Sequence, residues 1–236
     1  METHGTAIGL KCNDGILIAV EKPQSSKLLV AGSNRRVFGA DKHVGVAITG
    51  VSADGRQLVN RTREEASNYA DTYGHPAVPS VLADRLALFV HYFTIHGSLR
   101  PFGASALMAA YDEDVKTAEL YMIEPSGNCL RYYACAAGKG GQAARTELEK
   151  ILSKRNETGI TCNEAIGEMA RILHTIRDPS KDKPFELEMG WLTEANGYKW
   201  ALVPDATVKE ADRVAKESLA GGAASAAGGE AMMDTE

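Results

Sequence analysis

Apolar and polar positions alternate along the first fifty residues in the manner of β-strands separated by turns. Two apolar runs at residues 5–11 and 14–21 are joined by a short turn, which predicts an antiparallel hairpin. Residues 44–50 are nearly all apolar, as expected of a strand that is covered on both faces. The pattern therefore predicts a sheet-rich start to the chain.

The apolar spacing then changes to that of two helices, at residues 52–73 and at about 79–96. Gly74 follows the first segment as a stop signal, and Pro76 lies shortly beyond it. The predicted buried stripes are Leu58, Thr62, Ala66, Tyr69 and Tyr73 in the first helix, and Leu82, Leu86, Phe89 and Phe93 in the second.

The second half of the chain repeats this order of strands followed by helices. Thr161 and Glu164 have the spacing of a capping box, so a helix is expected to begin there. The predicted segments are strands within 103–133, helices at 141–154 and from 161, strands near 185–192 and 200–203, and a helix at about 205–219.

Strands therefore cluster in runs, which argues against a Rossmann-like parallel sheet and favours two sheets covered by pairs of helices, an α+β fold. We expect one domain over residues 1–219. Residues 220–236 are rich in Gly and Ala with few large apolar groups, which predicts a disordered tail.

Composition excludes several functions. The chain has 236 residues, 44% hydrophobic residues and a net charge of −5, which is ordinary for a globular protein with a full core. It contains no basic block, so nucleic acid is not an expected partner. No apolar run approaches the ~18 residues of a membrane helix, so no membrane association is expected.

The four cysteines lie at positions 12, 129, 135 and 162, and none forms a CxxC pair. This spacing disfavours a zinc site, and buried reduced thiols are the expected state. Cys129 and Cys135 lie an even number of residues apart on strand-like segments, so they could share one sheet face. We expect neither a metal nor a cofactor.

Several motifs together resemble proteasome α-type subunits over roughly residues 2–219. The strongest is Arg100-Pro101-Phe102-Gly103 with Ser105 behind it; taken alone it could be a loop in which the Phe fills the core. The others are residues 5–9, 45–50, 53–54, 63–66, 120–127, 138–139, 142–143, 183–188 and 215–219. The 183–188 and 215–219 segments are most similar to the eukaryotic α-type 3 branch, the seventh ring position.

This resemblance implies a four-layer αββα sandwich, the N-terminal-nucleophile (Ntn) hydrolase fold, and a structural role without catalysis. The implied partners are other α subunits in a seven-membered ring, β-ring subunits and regulatory activator particles. The implied role is ring assembly, substrate gating and activator docking in ubiquitin-dependent degradation, in the cytoplasm and nucleus.

Catalytic members of this fold use an N-terminal threonine whose own amine is the base. The resemblance places Gly5 at that threonine, Glu21 at a supporting carboxylate and Arg36 at a lysine, so all three positions are changed. Thr6 is then a strand residue. An active threonine hydrolase would require cleavage just before Thr6, and a free-standing interaction protein that uses its tail is a third hypothesis.

Arg36 has a further implied role. In α-type rings a basic residue near this position lines a pocket for the C-terminal carboxylate of an activator, which an arginine can bind in a bidentate pair. The alternative is a solvated charge at a strand end beside Arg35.

Two other features have structural alternatives that we prefer. Residues 138–141 suggest a phosphate loop, but they lack the required spacing, so a Gly-rich helix entry is expected. His91 and His96 are five apart and do not share a helix face, so ordinary surface or core histidines are expected.

α-Type subunits also carry a helix and gate segment ahead of the first strand. We expect the 236-residue form, which begins after that segment, to assemble poorly.

Overall fold

The computed structural model of the chain describes residues 5–24, 26, 28–30, 32–178 and 183–229, with ten strands and five α-helices. The first five strands are β1 (Ala7–Lys11), β2 (Gly15–Pro23), β3 (Val37–Asp41), β4 (Val44–Gly50) and β5 (Ala104–Asp112). The others are β6 (Thr117–Ile123), β7 (Cys129–Tyr132), β8 (Ala134–Ala137), β9 (Phe185–Thr193) and β10 (Ala201–Leu202). The helices are α1 (Ser52–Tyr73), α2 (Pro79–Ile95), α3 (Gly141–Thr158), α4 (Cys162–Thr175) and α5 (Asp205–Gly229).

The strands form two five-stranded antiparallel sheets. The first has the order β10-β9-β2-β1-β8, and the second has the order β3-β4-β5-β6-β7. The predicted hairpin is β1–β2, with Leu10 opposite Leu17. The predicted strand at residues 44–50 is β4, and every one of its residues is buried.

Three apolar clusters show that the sheets and helices form four layers. Leu58 of α1 and Leu82 of α2 pack on the second sheet. Met169 of α4 packs on the first sheet together with residues of α3 and α5. Val20 and Leu107 belong to a third cluster between the two sheets. The α+β fold and the αββα layering predicted above are confirmed.

The helix boundaries follow from local signals in the sequence. Gly74 ends α1 in the left-handed conformation at φ 77°, and its N–H bonds to the carbonyl of Ala70. Thr161 and Glu164 form both hydrogen bonds of a capping box at the start of α4. These two predictions are confirmed.

One strand was missed and one expectation about the sheets is wrong. Cys135 was placed on a strand-like segment, but β8 was not predicted as a separate element. It pairs with β1, whereas β7 pairs with β6, so the chain crosses from one sheet to the other near Tyr133. Cys129 and Cys135 therefore lie in different sheets and do not share a face.

The last helix is longer than expected. It continues from 219 to Gly229, because Ala has the highest helix propensity of any residue and offsets the glycines. The backbone at 220–229 is helical, and the expected disordered tail at 220–236 stays a prediction. Residues 230–236 lie outside the described residues, as do 1–4. The domain boundary at 219 stays a prediction. No helix in the described ranges is long and apolar enough to span a membrane.

Candidate functional site

The backbone at Gly5, just before β1, leaves no room for a side chain. A Cβ atom built on Gly5 would lie 2.0 Å from the carbonyl oxygen of Glu21 and 2.9 Å from Cδ of Pro23. Atoms this close overlap, so any residue with a Cβ would require the β1–β2 hairpin to open. The position that the resemblance assigns to a nucleophile is therefore filled by the neighbouring strand.

The nitrogen of Thr6 is a hydrogen-bonded amide. It donates to Oε2 of Glu21 at 3.0 Å, while the Thr6 carbonyl accepts from the backbone N–H of Glu21 at 2.8 Å. An amide nitrogen has no basic lone pair, so it cannot take the proton of the hydroxyl. The Glu21 carboxylate therefore acts as the hydrogen-bond acceptor for the backbone N–H of Thr6.

The hydroxyl of Thr6 is also enclosed. Thr6 is 1% exposed, and its Oγ1 accepts a hydrogen bond from the backbone N–H of Gly140 at 3.0 Å. The backbone N–H of Gly141 bonds to the carbonyl of Gly138 at 3.2 Å. These two N–H groups bond within the protein, which supports the Gly-rich helix entry over a phosphate loop.

Arg36 lies just before β3 and is buried, with 9% exposure. Its Nη1 donates to the carbonyl of Gly50 at 2.8 Å, and its backbone N–H donates to Oε2 of Glu188 at 2.8 Å. Burial lowers the pKa of the guanidinium, the positive charge of Arg56 lowers it further, and Glu188 opposes both effects. The alternative of a solvated strand-end charge is wrong.

The structure thus brings Gly5, Thr6 and Glu21 into direct contact and links Arg36 to them indirectly. The link runs through β4, because the Thr49 hydroxyl donates to the Gly5 carbonyl and the next residue, Gly50, accepts from Arg36. The arrangement offers no accessible hydroxyl, no free amine and no unengaged carboxylate at the threonine position.

Comparisons with known proteins identify the family. The family model described as "Proteasome subunit" matches residues 1–192. The chain belongs to the proteasome subunit family. It is 45% identical to the proteasome subunit alpha type-3 of Spinacia oleracea over 219 residues, which cover 93% of this chain and 86% of that protein.

Other relatives in the proteasome family agree with this assignment. The alpha type-3 subunit of Dictyostelium discoideum is 46% identical, with coverage of 93% and 86% of the two chains. The probable alpha type-7 subunit of Schizosaccharomyces pombe is 42% identical, with coverage of 92% and 83%. The predicted resemblance to α-type subunits, and to the type 3 branch, is confirmed. It favours the non-catalytic interpretation over an active hydrolase.

The Arg100-Pro101-Phe102-Gly103 motif, the strongest in the resemblance, joins the loop before β5 to the start of α1. Arg100 donates to both carboxylate oxygens of Asp54, at 2.6 and 2.7 Å, and the backbone N–H of Gly103 donates to Asp54 Oδ2 at 2.8 Å. The hydrogen bond from Arg100 lowers the pKa of Asp54. Phe102 lies against Phe89 and Phe93, with ring centroids 5.6 and 4.8 Å away. The motif therefore positions a loop, and its pairing with Asp54 was not predicted.

The sequence analysis also missed a cluster at the other end of β1. Cys12, Asp14 and Cys162 place two sulfur atoms and a carboxylate oxygen within 4.8 Å of one another, the one such group of three potential metal ligands among the described residues. A hydrogen bond with Cys12, burial and the nearby Asp14 all raise the pKa of the Cys162 thiol. No local spacing signals the cluster, because Cys162 is far from the other two in sequence.

The two histidines on and after α2 have ordinary surroundings. His91 is exposed and His96 is partly exposed, and their ring Nδ1 atoms lie 3.1 Å from the Ser126 carbonyl for His91 and 2.8 Å from the Tyr92 carbonyl for His96. This agrees with the surface-histidine interpretation.

Proposed function

We propose that this protein is a non-catalytic, structural α-ring subunit of a proteasome core particle. Its partners would be other α subunits in a seven-membered ring, β-ring subunits and regulatory activator particles. Its role would be to support ring assembly, substrate gating and activator docking in ubiquitin-dependent degradation, in the cytoplasm and nucleus. The observation that carries the proposal is the 2.0 Å approach of the Glu21 carbonyl to the position of a Cβ at Gly5.

The contacts of Thr6 support the same conclusion. A nucleophilic threonine needs a free hydroxyl and a base, whereas this one has its nitrogen bonded to Glu21 and its hydroxyl bonded to Gly140. Freeing either group would leave a buried N–H without a partner, at a cost of about 1–3 kcal/mol. The contacts of Thr6 therefore stabilise the start of β1 and leave no group free for peptide cleavage.

The test is incorporation followed by activity. The chain is co-produced with the remaining core-particle subunits of its source and analysed by native mass spectrometry, and peptide hydrolysis by the particle is compared with that of Thr6→Ala and Thr6→Ser particles. Because the 236-residue form is expected to assemble poorly, the assembled fraction is isolated first. We expect that fraction to hold one ring type that contains this chain, with hydrolysis per assembled particle equal for all three. Thr6→Ser keeps the hydroxyl and controls for assembly defects. A mature chain that begins at Thr6, or hydrolysis that disappears only with Thr6→Ala, would contradict the proposal.

We further propose that Arg36 contributes to a pocket for the C-terminal carboxylate of an activator. Its guanidinium carries five N–H donors, of which Nη1 supplies one to Gly50, and burial strengthens an ion pair by excluding water. Arg35 is adjacent and exposed, so it provides a matched control. We expect Arg36→Ala to reduce activator-stimulated hydrolysis by the particle and Arg35→Ala to leave it unchanged. Equal effects of the two variants would argue against the pocket.

A further inference from the structure

Three metal-ligating groups meet at the turn between β1 and β2. Cys12 is 3% exposed and Cys162 is fully buried, while Asp14 is partly exposed. We propose that Cys12, Asp14 and Cys162 bind one thiophilic divalent cation, of which Zn²⁺ is the best match. This inference goes beyond the proposed structural role and does not depend on it.

The distances suit a tetrahedral ion. With Zn–S of about 2.3 Å and Zn–O of about 2.0 Å, tetrahedral geometry places two sulfurs about 3.8 Å apart and a sulfur and an oxygen about 3.5 Å apart. The three ligand atoms lie within 4.8 Å of one another, so closure around an ion requires each separation to shrink by no more than about 1.3 Å.

The fold holds these residues together through backbone hydrogen bonds. The backbone N–H of Cys12 bonds to the carbonyl of Gly15 at 2.8 Å, and that of Asn13 bonds to the carbonyl of Ile160 at 2.9 Å. The backbone N–H of Cys162 donates to Oδ1 of Asp14 at 2.8 Å. The turn and the start of α4 are thus fixed to each other, and Asp14 is oriented beside the thiols.

The loop before α4 adds to this close approach. Gly159 has a φ of +71°, and a Cβ there would lie 1.9 Å from Nδ2 of Asn13. The positive φ and the contact with the Asn13 side chain both favour glycine at this position. The loop therefore brings Cys162 to the turn by a route that local sequence patterns do not reveal.

The position of Cys162 at the start of α4 favours a negatively charged set of ligands. Binding converts both thiols to thiolates and releases two protons to solvent, so Zn²⁺ with two thiolates and one carboxylate carries one net negative charge. Cys162 is the first residue of α4, where the helix dipole favours negative charge. Asp14 faces partly toward solvent, which gives an entry path and a place for water as the fourth ligand.

The donor set selects the class of ion. Mg²⁺ and Ca²⁺ prefer oxygen ligands, whereas two sulfur donors favour thiophilic ions such as Zn²⁺. Three protein ligands plus water is also a known arrangement for zinc.

The experiment uses the full chain, purified reduced and free of metal. Zn²⁺ is titrated in competition with a chromophoric chelator, and Co²⁺ is then used as a spectroscopic probe. We expect one ion per chain and a sulfur-to-cobalt charge-transfer band in the wild-type protein. Cys12→Ser and Cys162→Ser should each weaken Zn²⁺ binding by more than about 100-fold, since even loss of a group that only supports a ligand costs about 10–100-fold.

Two further variants separate a ligand role from a structural one. Asp14→Asn keeps an oxygen to accept from the Cys162 N–H and should weaken Zn²⁺ binding by roughly 10-fold or more. Cys135→Ser replaces a buried thiol outside the cluster and should leave binding unchanged. If a serine variant fails to fold, the cobalt spectrum of the wild-type protein tests by itself whether the thiols bind the ion.

Three outcomes would overturn the proposal. They are absence of the charge-transfer band, one-to-one Zn²⁺ binding that survives in the Cys12→Ser/Cys162→Ser double variant, and the finding that the two thiols are joined as a disulfide in protein isolated with its free thiols blocked. None of these outcomes bears on ring incorporation, so the two proposals fail separately.

Discussion

The two ends of strand β1 carry chemically capable residues in opposite surroundings. At the first end, the Thr6 nitrogen and hydroxyl are both bonded to other parts of the protein, and the Gly5 position is closed by the Glu21 carbonyl. At the second end, Cys12 and Cys162 converge with Asp14 within 4.8 Å. Thr6 therefore has neither a free amine nor an accessible hydroxyl, whereas cysteines without a motif spacing form a candidate binding site. The neighbouring groups, more than the residue type, decide which chemistry is possible.

The largest effect should come from a side chain at the closed end. Gly5→Thr places a Cβ where the Glu21 carbonyl lies, so we expect the free energy of unfolding to fall by about 3 kcal/mol or more, because overpacking forces the backbone to shift. We also expect no peptide hydrolysis from this variant. Urea unfolding and a fluorogenic peptide assay measure the two quantities.

Gly167→Ala is the matched control for this change. Gly167 lies within α4, and an added Cβ there would meet no atom within 4 Å, so alanine should stabilise the protein by about 0.5–1 kcal/mol. A Gly5→Thr protein that is as stable as wild type would show that the hairpin can open, and would remove the main argument against a side chain there.

A pair of carboxylate-to-amide changes distinguishes the two ends. At a Zn²⁺ concentration of about 100 times the dissociation constant, wild-type protein should gain about 2.7 kcal/mol of stability. Asp14→Asn, whose Zn²⁺ binding should be at least about 10-fold weaker, should lose about half of this gain or more while remaining about as stable as wild type without metal. Glu21→Gln should be destabilised by about 1 kcal/mol with or without Zn²⁺, since it weakens the bond from the Thr6 N–H.

Thermal unfolding with and without Zn²⁺, at constant pH and in a reducing buffer, measures these differences. If Glu21→Gln abolished the Zn²⁺-dependent gain and Asp14→Asn did not, the contrast between the two ends would be reversed.

The Asp54–Arg100 link should behave like the closed end, because three hydrogen bonds from within the protein hold the Asp54 carboxylate. Asp54→Asn should lower the free energy of unfolding by roughly 1–3 kcal/mol at pH 7, since it weakens the acceptor of three hydrogen bonds. The pKa of Asp54 is lowered in the folded state, so its contribution is present above the unfolded pKa near 4 and is lost as the pH falls further.

Urea unfolding of wild type and Asp54→Asn between pH 7 and pH 3 measures this dependence. The difference between the two proteins should shrink below about pH 4. A difference that stays constant over this range would mean that the carboxylate charge contributes nothing to the link.

Local sequence signals were sufficient for most of the elements. The alternation at residues 5–21 predicted the hairpin, the stripe that contains Leu58 predicted α1, and the Thr161–Glu164 pair predicted the start of α4. They failed at β8, whose four residues are too few and too Ala-rich to show a period. They also placed the end of the last helix at about 219, whereas it continues to Gly229, because alanine favours a helix.

The candidate sites were predictable to different degrees. The resemblance to the proteasome family correctly pointed to Gly5, Thr6 and Glu21 as a group, and it also named Arg36, whose burial no local pattern indicated. The pairing of Asp54 with Arg100 and the approach of Cys162 to Cys12 were not predicted, because each joins segments that are distant along the chain.

The sequence by itself determined the order of strands and helices, the absence of a hydroxyl at position 5 and the family. These depend on residue identity and on spacing over a few neighbours, which backbone periodicity and capping chemistry make readable. Only the tertiary structure decided that the Glu21 carbonyl fills the nucleophile position, that Arg36 is buried and that two distant cysteines meet beside Asp14. Those features depend on how the sheets and helices pack, and packing brings together residues whose separation in sequence carries no signal.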